Sequence, residues 1–454
     1  MKVTVDTLRQ ALITTPRIGS AELCRRLKGI NRSTLARLIA QMDGDIIRRG
    51  GSKRIRYALR RNLRSRSAPL PLYRIDAEGT GHVVGTLDLT MPEGSALTLT
   101  EPLAWPLDGE MMRDGWFDGL PYPLIDMRPQ GFIGRNFAHL HGQMLEVAEN
   151  LDAWSDDDLI HVLSTYGHDQ SGDLILGDRA YQRHLDTRQD WESKLVRTDQ
   201  LAAMYPEQAR LALAQGIAGS SAAGEFPKFT LNRAIDGAPV PVIVKFSGAD
   251  NSPAVRRWAD LLICEHWALE TLPAELGIAA ARSSIHQYAG RTFLEVVRFD
   301  RHGAHGRRPL CSLASINGAL LGKTRASWPM VAAMLQHKGW LSADAVTQIR
   351  RQWWFGKLIA NTDMHEGNLS FHPGLSVAPA YDMLPMRYAP LRAGELPPQT
   401  YTPPLPLPAE TADWQRAAHA AILYWKRCAT DRRISEAFRA TCLENAGILS
   451  RAAG

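Results

Sequence analysis

Apolar and polar positions alternate along the chain in a way that changes period several times. Over residues 5–13, Leu8, Ala11 and Leu12 recur at helical spacing, and Pro16 closes the segment. Ser20 caps a second helix carrying Leu23 and Leu27, which Lys28-Gly29 breaks, and Leu35, Leu38, Ile39 and Met42 stripe a third. The runs 46–49 and 53–59, joined by Gly50-Gly51-Ser52, read as a β-hairpin. Residues 71–102 continue with strand-like alternation between Gly and Pro punctuation, before mixed helical sequence that includes a helix over 156–166 capped by Ser155. Residues 240–247 form a strongly β-forming run, 254–272 a helix, and 293–299 another strand. From Ser312 onward the pattern is mostly helical, with one helix over 342–360 delivering Asn361-Thr362-Asp363 at its end. A proline-rich loop over 390–408 leads to closing helices whose expected core is Trp414, Ile422, Leu423 and Trp425.

Charge divides this pattern unevenly. Residues 1–66 hold 17 basic and 4 acidic side chains, or +13, so that the rest of the chain carries −7 of the +6 total. A compact basic segment is the electrostatic footprint of a phosphate-backbone binder. Its order of helix, helix, helix and hairpin resembles a winged helix-turn-helix. In that arrangement Arg32, Ser33, Thr34 and Arg37 face the major groove, and Arg48, Arg49, Lys53, Arg54 and Arg56 contact phosphates. A basic solvated face on a protein-interaction module is the competing reading. Residues 60–69 lack apolar periodicity and read as a polar linker, placing a domain boundary near residue 66.

Composition adds limits. At 454 residues there is room for about three domains, and no run of about 18 apolar residues suggests a membrane span. The N-terminus lacks the apolar stretch of a signal peptide, so a cytoplasmic protein is expected. The five cysteines, 24, 264, 311, 428 and 442, are scattered without a Cys-x-x-Cys pair, which points to free thiols. His161 and His168 have no second pair at ligand spacing.

Chemistry concentrates near the end. In the stretch 361–371, Asp363 is followed by Asn368, and Asp382 lies nineteen positions beyond Asp363. Phosphoryl transfer by kinases needs an Asp to accept the proton of the attacking hydroxyl, and an Asn and a second Asp to hold magnesium. Upstream, the small residues 217–224 allow backbone N–H groups to approach phosphates, and Lys245 sits inside an apolar strand, where a lysine needs a partner. Glu265 or Glu270 on the following helix can supply it. Each feature alone fits a bland reading, a flexible loop or a snorkelling lysine, but their order is the one a kinase requires.

Three stretches, Arg298-Phe299-Asp300-Arg301, residues 360–371 and Pro379-Ala380-Tyr381-Asp382, resemble the HipA family of serine/threonine kinases. The resemblance runs from about residue 70 to the end. It implies an α+β, two-lobed, protein-kinase-like body with a β-rich N-terminal lobe over 67–300 and a helical C-terminal lobe over 301–454. It also implies ATP and Mg²⁺ as cofactors and transfer to a protein Ser or Thr in translation, such as an aminoacyl-tRNA synthetase. Asp363 then looks like the catalytic base, and Asn368 and Asp382 the metal ligands. Gly224, Lys228, Lys245, Glu265, Phe299 and Asp300 belong to the nucleotide site, with Phe299 at the hinge. Ser221, or its neighbour Ser220, takes the place of the family's autophosphorylated serine. Val297 departs from the family's usual glutamate, and residues 1–66 are an addition. Family members are restrained by a separate DNA-binding antitoxin, so the fused segment suggests built-in regulation. A DNA-binding regulator whose kinase-like body only senses nucleotide, and a kinase acting on small molecules, are the alternatives.

Overall fold

The computed structural model describes residues 3–42, 44–51, 54–66, 68–189, 191–214, 226–324, 326–391 and 393–454. Three helices open the chain, Val5–Thr14, Ser20–Arg26 and Arg32–Ala40. Thr4 caps the first by a reciprocal capping box, and the Asn31 side chain caps the third by accepting from Thr34 N–H at 2.8 Å. Leu8, Leu12, Leu23, Leu35, Leu38 and Met42 close a small core beneath them. Strands Ile46–Arg49 and Arg56–Arg61 form the expected hairpin, and Ile18–Gly19 adds to its edge.

The hairpin does not end in a linker. Arg60 and Arg61 pair with Thr90 and Leu89, so the sheet runs on through strands Gly81–Thr90, Leu70–Ile75, Ser95–Leu99, Trp116–Phe117 and Leu174–Leu176, eight strands in all. Leu63 is buried and bridges Arg66. Arg60 pairs with Asp88 at 2.9 Å, Arg61 with Asp157, and Arg64 with Glu146 and Asp158. The polar look of 60–69 came from arginines whose carboxylate partners lie far along the chain.

A second, five-stranded sheet carries the nucleotide-lobe features. Its order is Ser283–Tyr288, Arg291–Val297, Ala238–Phe246, Lys228–Ile235 and Leu195–Val196. The span 67–300 therefore holds two sheets over separate cores. One is built on Leu72, Leu87, Leu97 and Leu163, the other on Val242, Val244, Phe246 and Phe293.

Helix Pro253–Leu276 packs on the second sheet and runs four residues past its expected end. Pro273 sits in its last turn, where it gives up one backbone hydrogen bond, and Gly277 at φ +65° stops the helix. Below lie Leu313–Leu320, Trp328–His337, Ala343–Leu358, Thr411–Thr430 and Glu436–Ala453 around one large core that includes Trp328, Phe355 and Trp425. Among the described residues this lobe is helical apart from short strands, Arg301–His302 paired with Gly306–Arg307, and Cys311–Ser312, Ser370–His372 and Ser376–Val377 in a three-stranded sheet. Among the described residues no helix is long and apolar enough to cross a membrane, and no cluster of His, Cys, Asp and Glu is able to hold a metal.

Candidate active site

Strand pairing sets the first half of the site. Lys228 stands directly opposite Lys245 in the antiparallel pair, so both side chains leave the same face of the sheet. Glu265 comes from the middle of the packed helix, is 1% exposed, and accepts from Lys245 Nζ at 2.7 and 2.9 Å. Asp382 accepts from the same Nζ at 2.5 Å. Burial disfavours the ammonium, but Asp382 and Glu265 outweigh it and hold the Lys245 pKa above its ordinary value. For Asp382 burial again works the other way, and Lys245 with Lys228 keeps its carboxyl below the usual range. Glu265 is raised by burial, only partly offset by Lys245.

The second half descends from the end of helix Ala343–Leu358. Ala360 turns the chain at φ +60°, and Asp382 sits at φ +54°, two non-glycine residues in the left-handed region within one site. Asn361, 2% exposed, holds the two loops together. Its Oδ1 accepts from Asp363 N–H at 2.9 Å, and its Nδ2 donates to Asp382 O at 3.3 Å. Asn368 Nδ2 donates to Asp363 O at 2.8 Å, closing the loop from its other end. The Asp363 side chain is 55% exposed, within reach of a second molecule. His365 Nδ1 accepts from Gly367 N–H at 3.0 Å, and Trp328 donates to the His365 carbonyl. Tyr381 donates to Gly367 O at 2.6 Å, tying the segment before Asp382 to the same loop.

Lys228, Lys245, Glu265 and Asp382 are thus gathered in one place, and Asp363 and Asn368 are joined to them through Asn361. Phe299 lies half-buried at the hinge with its ring 5.6 Å from that of Tyr381. Asp300 does not offer its carboxylate to a nucleotide. Both oxygens are taken by Arg298, Arg301 and the Gly172 N–H, which ties the hinge to the first sheet's unit. The sequence could not show this, because Asp300 and its partner Gly172 are far apart in the chain. Ser220, Ser221, Gly224 and Lys53 lie outside the described residues.

At the N-terminal end, Arg32, Ser33 and Arg37 are exposed on one helix with Thr34 partly covered, and Arg48 is exposed on the hairpin. Arg49 and Arg54 turn elsewhere. Arg49 reaches Asp88 at 3.2 Å and Thr98, and Arg54 reaches Asp114 at 3.6 Å and Glu110 at 4.0 Å, all on the neighbouring unit. The bridging roles of Asn361 and Tyr381 emerge only in the folded chain. An Asn two positions before an Asp at a helix end is the signal that could have found the first.

A kinase-like fold with this site defines a HipA-like protein. Residues 220–445 match the family model for the HipA-like C-terminal domain, and residues 66–185 match the model for the middle domain of YjjJ-like toxins. Toxin YjjJ of Escherichia coli (strain K12) is 36% identical over 439 residues, covering 96% of this chain and 95% of that protein. The chain belongs to this YjjJ-like branch of the HipA-like toxins. Among solved structures, HipA of Shewanella oneidensis MR-1, in complex with HipB and its operator DNA, superposes with a TM-score of 0.53 at 16% identity. The match covers 85% of this chain and 96% of that one.

Proposed function

We propose that this chain is an ATP- and Mg²⁺-dependent serine/threonine protein kinase of the HipA toxin type, with its own DNA-binding module. One observation carries the reading: Lys245 is shared by Glu265 and Asp382, while Asn361 fixes Asp363 to the backbone of Asp382. A lysine held by a helix glutamate, aimed at an acidic loop, is the arrangement that grips nucleotide phosphates. The amide oxygen of Asn368 and the carboxylate of Asp382 are the hard oxygen donors that Mg²⁺ prefers. When bound, the cation would neutralise charge on the transferred phosphoryl group. Asp363 would take the proton of the attacking hydroxyl, and Lys245 would orient the phosphates. Lys228, across from Lys245, adds positive charge to the same face. Phe299 would line the adenine side at the hinge.

Ser221 or Ser220 remains the candidate autophosphorylated residue, since a phosphoserine beside the nucleotide phosphates would repel them. A translation protein such as an aminoacyl-tRNA synthetase is the proposed substrate, by family likeness. Residues 1–66 are proposed as the DNA-binding part, contacting DNA through Arg32, Ser33, Thr34, Arg37 and Arg48. Arg49 and Arg54 already have acidic partners within the chain. The Shewanella HipA stands in a complex with HipB and operator DNA, and this supports both DNA and a separate antitoxin as partners. Incubation of wild type and Asp363→Asn with labelled ATP and cell lysate tests the reading. Labelled protein with wild type alone is expected, and equal labelling by both would overturn it.

A further inference from the structure

A cavity of about 230 Å³ opens between the two sheet-bearing units, behind the hinge. One wall is the middle of the Lys228–Ile235 and Ala238–Phe246 strands, and the other is the segment around His168, His184 and Lys194. Lys245, Asp363, Asn368 and Asp382 do not line it. The cavity is therefore separate from the site described above.

Its lining is cationic and incompletely matched. Arg298 and Arg301 are neutralised by Asp169 and Asp300, with Asp169 held at 3.2 and 2.9 Å. Arg307 has no such partner. It is 5% exposed, and its Nη2 donates to His168 O and, at 3.4 Å, to His184 Nδ1. Its Nη1 is buried and donates to nothing. Because Nδ1 of His184 accepts, the neutral ring carries its proton on Nε2, and that N–H is also buried without an acceptor. Burial and the adjacent Arg301 charge push the Arg307 pKa down to about 9, as expected for a guanidinium in want of a counterion. Lys194, exposed at the rim, adds a further positive charge.

Two buried donors without acceptors, beside a cavity ringed by cations, call for a guest rich in acceptors and negative charge. We propose that this cavity is a binding site for a phosphate group, held by Arg307 and His184 at its wall and by Lys194 at its mouth. The phosphate could be a free ion, a nucleoside monophosphate or a phosphoserine side chain. All three present the same tetrahedral oxyanion, and the test separates them. Because the cavity joins the unit carrying Asp169 and Gly172 to the hinge residues Arg298–Arg301, a bound phosphate would fasten the two units together.

Thermal melting and calorimetric titration of the full chain with inorganic phosphate, adenosine monophosphate and phosphoserine form the experiment. Saturable binding of at least one probe to wild type is expected. Lys194→Glu, at an exposed position that leaves folding intact, should weaken it about tenfold or more, the scale of one charge-assisted hydrogen bond. Arg307→Met should abolish it; should that variant not fold, Lys194→Glu and His184→Phe decide. With the nucleotide site filled by a non-hydrolysable ATP analogue, binding of inorganic phosphate and phosphoserine should persist. The proposal is overturned if no probe binds saturably, if Lys194→Glu binds as wild type does, or if the ATP analogue removes binding of every probe.

Discussion

Lys245 and Asp382, 137 positions apart, meet at 2.5 Å, and Glu265 completes the contact from a buried helix position. Lys245 is 6% exposed and Glu265 1%. Removing one partner of such a pair strands a buried charge, which costs about 3–5 kcal/mol. Lys245→Met is therefore expected to lower the melting temperature and to abolish phosphate transfer. Lys245→Met combined with Glu265→Leu should recover much of the stability but none of the activity. Melting curves and labelling from ATP, run on the same preparations, check both halves.

Asp363 and Asp382 should separate by what they lose. The Asp363 side chain is half exposed and bears little on packing, so Asp363→Asn is expected to keep nucleotide affinity and melting temperature. Phosphate transfer should fall by about 10²–10⁴, the range for a lost general base. Asp382→Asn should instead lose Mg²⁺-dependent nucleotide binding. Titration of a fluorescent ATP analogue with and without Mg²⁺ distinguishes them, and identical behaviour of the two variants would contradict the assigned roles.

Asn361 is a positioning residue, acting through Asp363 and Asp382. Asn361→Ala removes the buried amide that accepts from the Asp363 N–H, with an expected loss of about 1 kcal/mol. It should lower kcat with little change in KM for ATP, because Lys245 and Glu265 remain in place. Steady-state kinetics with an artificial peptide acceptor give that split.

How much of this was legible in the sequence depended on how local each role is. Lys245 announced itself as a cation in an apolar strand, and the spacing of Asp363, Asn368 and Asp382 carried its own chemistry. Asn361 did not, since an amide's role is set by what it touches. Arg49, Arg54, Arg60, Arg61 and Arg64 misled for a related reason. A run of positive charge looks the same whether it faces phosphates or, as for Arg49, Arg60 and Arg61, carboxylates on a neighbouring unit. Likewise Asp300 could be placed at the hinge but not in its ion-pair network, and the second sheet within 67–300 emerged only from pairing between distant strands.

Stability in acid should depend on Asp300. Burial disfavours its carboxylate, but Arg298 and Arg301 overcome this and hold its pKa well below the ordinary value. A depressed folded pKa means that the stabilisation is fully present above the unfolded value of about 3.9, and is lost as pH falls through the folded value. Wild type should lose melting temperature from about pH 4 downward. Asp300→Asn should be less stable at neutral pH, by about 3 kcal/mol, because two buried guanidinium groups keep only Asp169 as a shared counterion, and its acid limb should be flatter. Melting curves between neutral pH and the acid limb decide it, and parallel limbs would exclude Asp300 as the source.

DNA binding should follow exposure, not charge alone. Arg32→Ala with Arg37→Ala removes two exposed cations from one helix, and should weaken DNA binding and reduce its salt dependence by about two counterions. Arg49→Met removes a cation already paired with Asp88, whose side chain is 4% exposed. That change should leave DNA affinity and its salt slope near wild type while lowering the melting temperature, because Asp88 would keep only Arg60 as a counterion. Fluorescence anisotropy on random-sequence duplex at several salt concentrations, beside melting curves, measures both. A loss of affinity for Arg49→Met equal to that of the double variant would mean that the hairpin arginines leave the acidic face to contact DNA.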